Sequence, residues 1–225
     1  MASVQSQQPT GNGLRIQILR PLLHLRQLVK CSTINLCKTL HRGFMEHNLQ
    51  NTIALLARTP VALDALLRPL PEMWTESNEG EGTWTVSDVV AHLIHAEHDN
   101  WMPRATMILQ SGESQEFGPL DRGGYKLYRQ GQTLGQLLDD FASVRAKNLS
   151  NLRALNLTPE DLNRLGKHPA FGSVTLSQLL ATWAAHDLTH LHQISRIMAY
   201  QYREPVGPWS RFLGVMQCAG HSSAA

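Results

Sequence analysis

Cysteine, aromatic residues and long apolar runs are all scarce in this chain. Cysteine occurs three times in 225 residues, as Cys31, Cys37 and Cys218. The odd number excludes a fully paired disulfide framework. The Cys31-x5-Cys37 spacing is too loose for a C-x-x-C redox pair and matches no zinc knuckle or ribbon. Free thiols in a reducing cytoplasm are the expectation. Aromatic residues make up 6 % of the chain. The short-period alternation of a half-buried strand is equally scarce, which turns the reading away from β-rich folds. No apolar run reaches the roughly 18 residues that would span a bilayer. Leu14 to Val29 is interrupted by Arg20, Pro21, His24 and Arg26, so no clean secretory core forms. A net charge of +2 is too small to argue for nucleic acid or an anionic membrane surface.

Acidic residues are missing altogether from residues 1–44, which carry six basic ones: Arg15, Arg20, Arg26, Lys30, Lys38 and Arg42. The rest of the chain is net −4, and the break falls just before Met45. The segment reads as a basic targeting peptide, as a polar arm for a partner or nucleic acid, or as an over-long start with Met45 the true first residue. The last is preferred, because residues 45 onward form a complete unit alone. The expected organisation is a basic extension at 1–44, a helical domain at 45–216 and a tail at 217–225.

What the chain does have is helical periodicity, with 42 % of its residues apolar. Residues 48–68 repeat Ile53, Leu55, Leu56, Val61, Leu63, Leu66 and Leu67 at helical spacing, and Pro60 either kinks that helix or opens a new turn capped by Thr59. A second helix starts at a capping box, Thr85-x-x-Asp88, and runs to about Gln110, with Pro103 bending or breaking it. Residues 111–132 read as a long loop of functional length. A third helix runs from the box Thr133-x-x-Gln136 to about Leu155. Thr158-Pro159-Glu160-Asp161 opens a short one. Residues 166–173 read as loop, and a fourth helix runs from the box Thr175-x-x-Gln178 to about Tyr202. Four capped amphipathic helices without convincing strands imply an all-α four-helix bundle.

Histidine is the generous residue, with 11 copies. His186 and His190 are four residues apart, about one helical turn, on the Leu179–Trp183–Ile194–Ile197 side of the fourth helix. Two imidazoles so placed either find hydrogen-bond partners in the core or share a metal ion. On the second helix His92, His95 and His98 form a stripe, so His92/His95 is a rival ligand pair. Glu97, on the Leu93/Ile94/Trp101 side, is either an exposed acid, a carboxylate supporting the site, or a catalytic general base. Asp187 and His192 point away from the His186/His190 direction and read as solvated.

Two stretches resemble the signatures of the DinB/YfiT-like superfamily. Trp84-Thr-Val-Ser-Asp-Val-Val-Ala-His92-Leu-Ile-His-Ala-Glu97 is similar to its second-helix motif. His186-x3-His190-x2-Gln193 is similar to its last-helix motif. Phe117-Gly-Pro-Leu-Asp-Arg and Tyr202-Arg-Glu-Pro-Val-Gly-Pro-Trp209 also look like one branch of the group. The resemblance implies a four-helix bundle with an inward-facing three-histidine metal site made by His92, His186 and His190. His95 departs from the family pattern, and residues 1–44 have no counterpart in it. The implied cofactors are a divalent metal, zinc or nickel first and iron or manganese next, together with a low-molecular-weight thiol. The implied activity is that of a metal-dependent transferase or isomerase that activates the thiol. The other readings are a metal-dependent hydrolase that activates water, with Glu97 as base, and a non-catalytic metal-binding stress-response module. The partners expected are a small-molecule substrate and, for a dimeric protein, a second copy of this chain. Neither nucleic acid nor membrane is expected.

Overall fold

The computed structural model describes residues 47–218. The basic segment 1–44, with Cys31 and Cys37, lies outside the described residues, as do residues 219–225. Four helical columns pack side by side. The first is broken into α1 (Leu49–Leu56) and α2 (Thr59–Leu67), and a short α3 (Glu72–Thr75) follows it. The second is broken into α4 (Val86–Asp99) and α5 (Trp101–Ser111). A short α6 (Tyr125–Arg129) crosses back along α4, and α7 (Leu134–Ala154) is the third column. After α8 (Pro159–Leu162) come two short strands, β1 (Leu165–His168) and β2 (Gly172–Thr175). The fourth column is α9 (Leu176–Tyr200). Among the described residues no helix is long and apolar enough to cross a membrane.

The starts of these helices follow from local chemistry. Thr85, Thr133, Thr158 and Thr175 each accept a backbone N–H three residues on, and Asp88, Gln136, Asp161 and Gln178 reach back to the cap N–H. Each reciprocal pair satisfies two of the helix's orphan donors. The breaks follow from proline. Pro60 lies in the first turn of α2 and has no N–H for the Leu56 carbonyl one turn earlier. Thr59 does not cap that turn: its hydroxyl donates to Asp187 Oδ2 at 2.6 Å. The second column breaks at Asn100, three residues before Pro103, so the proline ring falls in the first turn of α5 rather than in a helix interior.

Two expectations are corrected. Residues 165–175 form an antiparallel hairpin, pairing Leu165 with Thr175 and His168 with Gly172, where a loop was expected. Its backbone presses on α5 at Gly166, where a Cβ would come within 2.6 Å of Ile108 and 2.8 Å of Phe117. The supposed loop 111–132 contains a 3₁₀ turn at Gly112–Ser114 and helix α6.

The interior consists of two apolar clusters with polar side chains between them. One gathers Leu63, Leu67, Val90, Leu93, Phe141, Ile194 and Ile197. The other gathers Ile53, Leu56, Trp101, Ile108, Leu152, Leu180 and Trp183. Along α7 the run from Phe141 to Leu149 passes through buried Arg145 and Asn148. Along α9 the run from Trp183 to Ile194 passes through His186, Asp187 and His190. The bundle therefore has a polar waist, and burying so many polar groups is costly unless each finds a partner.

Candidate metal centre

Half of the waist is the three-histidine group. His92 comes from α4, and His186 and His190 from successive turns of α9. His186 Nε2 lies 3.2 Å from His92 Nε2 and 3.1 Å from His190 Nε2. One ligand atom from each of the three lies within 4.8 Å of the others, and this is the group among the described residues with metal-ligand potential. His95 is not part of it. Its Nε2 meets the Asp121 carbonyl at 2.8 Å, and its Nδ1 lies 2.8 Å from Asp99 Oδ2. Gly124 passes so close to that ring that a Cβ would collide with it, 2.6 Å from His95 Nε2. His95 thus belongs to the contact between α4 and the 121–124 turn.

Aromatic rings wall the group. Trp84 lies 5.0 Å from the His92 ring centroid and 6.4 Å from that of His190, with Tyr125 behind it at 4.8 Å. On the far side Trp101 meets the His186 ring edge-on at 5.0 Å. Burial within these walls pushes all three imidazoles below the ordinary histidine range. His92 falls to about 3, through desolvation and then the neighbouring His190 and His95. His186 falls to about 2, through desolvation, His190, His92 and then Arg145. His190 is lowered by desolvation, partly offset by Gln193 and Asp187. All three are neutral at pH 7, the state in which imidazole offers a lone pair to a metal.

The donor set fits a metal ion. The Gln193 amide oxygen lies 2.7 Å from His190 Nδ1 and can only accept, so Nδ1 carries the proton and Nε2 keeps its lone pair. A proton on His186 Nε2 can serve only one of its two close neighbours well. A cation satisfies all three lone pairs. Two nitrogens bound to one ion at the usual zinc–imidazole distance lie about 3.0–3.4 Å apart, which brackets the separations from His186. His92 Nδ1, His186 Nδ1 and Gln193 Nε2 are buried without hydrogen-bond partners.

The other half of the waist is an ion cluster. Arg145 spends all five N–H donors. Nε and Nη2 reach Glu97 Oε1 at 3.0 and 2.7 Å, and Nη1 and Nη2 reach Asp187 Oδ2 and Oδ1 at 2.6 and 2.9 Å. Nη1 also takes the Leu56 carbonyl at 2.9 Å, the acceptor that Pro60 leaves free. Burial alone would lower the Arg145 pKa, but hydrogen bonds and charge from Asp187 and Glu97 outweigh it and the net shift is upward. Glu97 is 1 % exposed. Besides Arg145, its Oε1 accepts from Trp183 Nε1 at 2.8 Å and its Oε2 from Asn148 Nδ2 at 2.9 Å.

Asp187 is therefore not solvated, as its position beside His186 suggested, but fully buried against α2 and α7. The reason is geometric: α9 is covered over more than half its circumference, so the residue one step round from His186 also faces inward. His192 is exposed, as expected. Sequence reasoning missed Arg145 and Asn148. The available signal was a charged and an amide side chain inside the Phe141–Leu149–Leu152 stripe of α7.

Comparison with known proteins agrees with this architecture. The family model of the DinB superfamily matches residues 55–194. The solved structure of YfiT from Bacillus subtilis is similar, with a TM-score of 0.59 and 19 % identity over 72 % of this chain and 93 % of that one. That protein is described as a probable metal-dependent hydrolase with an unusual four-helix bundle topology. No curated protein matches the chain.

Proposed function

The chain belongs to the DinB superfamily, and from that premise we propose that it is a metal-dependent enzyme in which His92, His186 and His190 hold one divalent ion and leave a position open for a substrate atom. The approach of His190 and His92 Nε2 to His186 Nε2, at 3.1 and 3.2 Å, with a ligand atom of each residue within 4.8 Å of the others, carries the reading. Three protein nitrogens with an open position make a catalytic rather than a structural site. Imidazole donors suit zinc, nickel, iron and copper alike; zinc or nickel is the first choice, with iron or manganese after them. An ion so held lowers the pKa of water and deprotonates a thiol outright.

The preferred substrate for activation is a low-molecular-weight thiol, used as a transferase or isomerase uses one. What favours it over water is the state of the carboxylates. A hydrolytic route calls for a positioned general base. Glu97, the candidate for that role, has both oxygens engaged by Arg145, Trp183 and Asn148. Asp187 is equally engaged by Arg145 and Thr59. A thiol has an ordinary pKa of about 8.5 and needs no such base beside a cation. The chain's own part is then to fix three imidazoles, keep them neutral, and exclude water with Trp84 and Trp101. The exposed free Cys218 accords with a cytoplasmic setting. Hydrolysis is the second reading, favoured by the structural likeness to YfiT. Cobalt-loaded protein titrated with small thiols separates the two. A sulfur-to-cobalt charge-transfer band, with turnover of electrophiles only when thiol is present, supports the first. Ester or amide hydrolysis with no thiol requirement and no such band overturns it.

A further inference from the structure

We propose that the Arg145–Glu97–Asp187 cluster sets the charge of the three-histidine site, its single net negative charge favouring a divalent cation there and leaving the loaded site to be completed by a monoanion. The inference rests on the metal reading above and adds to it a role for three residues outside the ligand set. Three neutral imidazoles contribute no charge, so a divalent ion among them would stand as two uncompensated positive charges in a buried, aromatic-walled space. Such a charge is costly unless fixed opposite charge lies nearby.

The buried charged side chains among the described residues are Glu97, Arg145, Asp187 and Arg196. Arg196 is held by Glu79, with Nε and Nη2 at 2.6 and 2.8 Å from its two oxygens. The cluster is left with two carboxylates against one guanidinium. It is joined to the histidines in two ways. Asp187 follows His186 on α9. Trp183 donates to Glu97, stacks on Trp101 at 5.8 Å, and Trp101 in turn meets the His186 ring. With all five Arg145 donors used, the carboxylates cannot swing away, so the field at the histidines is fixed in advance. These are positioning residues, since none lies in the three-histidine ligand group.

Adding one negative unit to a dipositive ion leaves one positive charge. Monoanions of the kind a thiol or water gives on losing a proton are therefore matched to the loaded site.

Glu97→Gln tests this with little change of shape. The amide oxygen of the introduced side chain keeps the acceptor for Arg145 and Trp183, while the new amide nitrogen gives up the hydrogen bond from Asn148 Nδ2, which stays on the Glu97 carbonyl at 2.8 Å. Asp187→Asn is the second variant, in case the first folds poorly. Cobalt is titrated into the metal-free proteins, and thiocyanate is then titrated into the cobalt-loaded forms and followed by the visible spectrum. Each variant should bind cobalt about ten- to a hundredfold more weakly, the scale expected of one charge at moderate internal dielectric. Each loaded variant should bind thiocyanate severalfold more tightly. A merely structural role would weaken both affinities together or leave both unchanged, and either result overturns the inference. If the wild-type protein binds no cobalt, the metal reading itself falls and this inference with it. If the wild type binds cobalt and the variants match it, only the charge inference falls.

Discussion

The two halves of the polar waist share α4 and α9, to which the ion cluster adds α7, and they end in opposite states. In the Arg145–Glu97–Asp187 half, every donor of the guanidinium and every carboxylate oxygen has a protein partner. In the histidine half, three Nε2 atoms face one another, and two Nδ1 atoms and one amide nitrogen are buried without partners. A saturated buried network joins helices and has nothing left to offer a ligand. An unsaturated one, on equally rigid supports, has lone pairs to give. The contrast separates a saturated, structural half from one with lone pairs left for a ligand, in a layer that composition alone would treat as one.

The largest effect expected to break this contrast is loss of metal. His92→Ala, His186→Ala and His190→Ala should each purify with little or no bound ion, by mass spectrometry of protein made without added metal, while His95→Ala keeps most of it. The structural half should respond in stability instead. Arg145→Met leaves two buried carboxylates unpaired and should cost about 3–5 kcal/mol in chemical denaturation. Loss of metal with unchanged stability in that variant would blur the distinction.

Acid should act through the histidine half of the metal-free protein. The native imidazoles are depressed, His92 to about 3 and His186 to about 2, while the unfolded chain binds protons near 6.5. The unfolded state therefore holds more protons between those limits. Stability is full above pH 6.5 and falls as pH drops toward 3, by about 2 kcal/mol between pH 6.5 and 5 for each histidine that stays neutral. Denaturation at pH 7.5 and pH 5 measures it, and equal stability at both would contradict the burial of neutral imidazoles. The smallest effect concerns the edge of the waist. Gly124→Ala drives a Cβ into the His95 ring and should cost about 1–3 kcal/mol. Adding His95→Ala should recover part of that loss.

Much of this was legible in the sequence. Thr85, Thr133, Thr158 and Thr175 each announce a helix through a partner three residues on, because a capping box is a local interaction. The histidine spacing on α9 was legible for the same reason: four residues on a helix fix a direction. The His92 contribution needed the resemblance, since nothing local says which of His92, His95 and His98 faces α9. Arg145 and Asp187 were hidden, because their meaning lies in one another and in Glu97, which are 42 and 48 residues away from Arg145. The hairpin was hidden because four-residue strands leave too little alternation to read, and its place is set by tertiary contact at Gly166.

X-ray absorption at the edge of any metal that copurifies with the protein reads the ligands of the site itself. About three imidazole nitrogens at roughly 2.0–2.1 Å are expected, with a sulfur scatterer added when a small thiol is supplied. A first shell of oxygen alone, or an imidazole signal that survives the loss of His186, would contradict the three-histidine site.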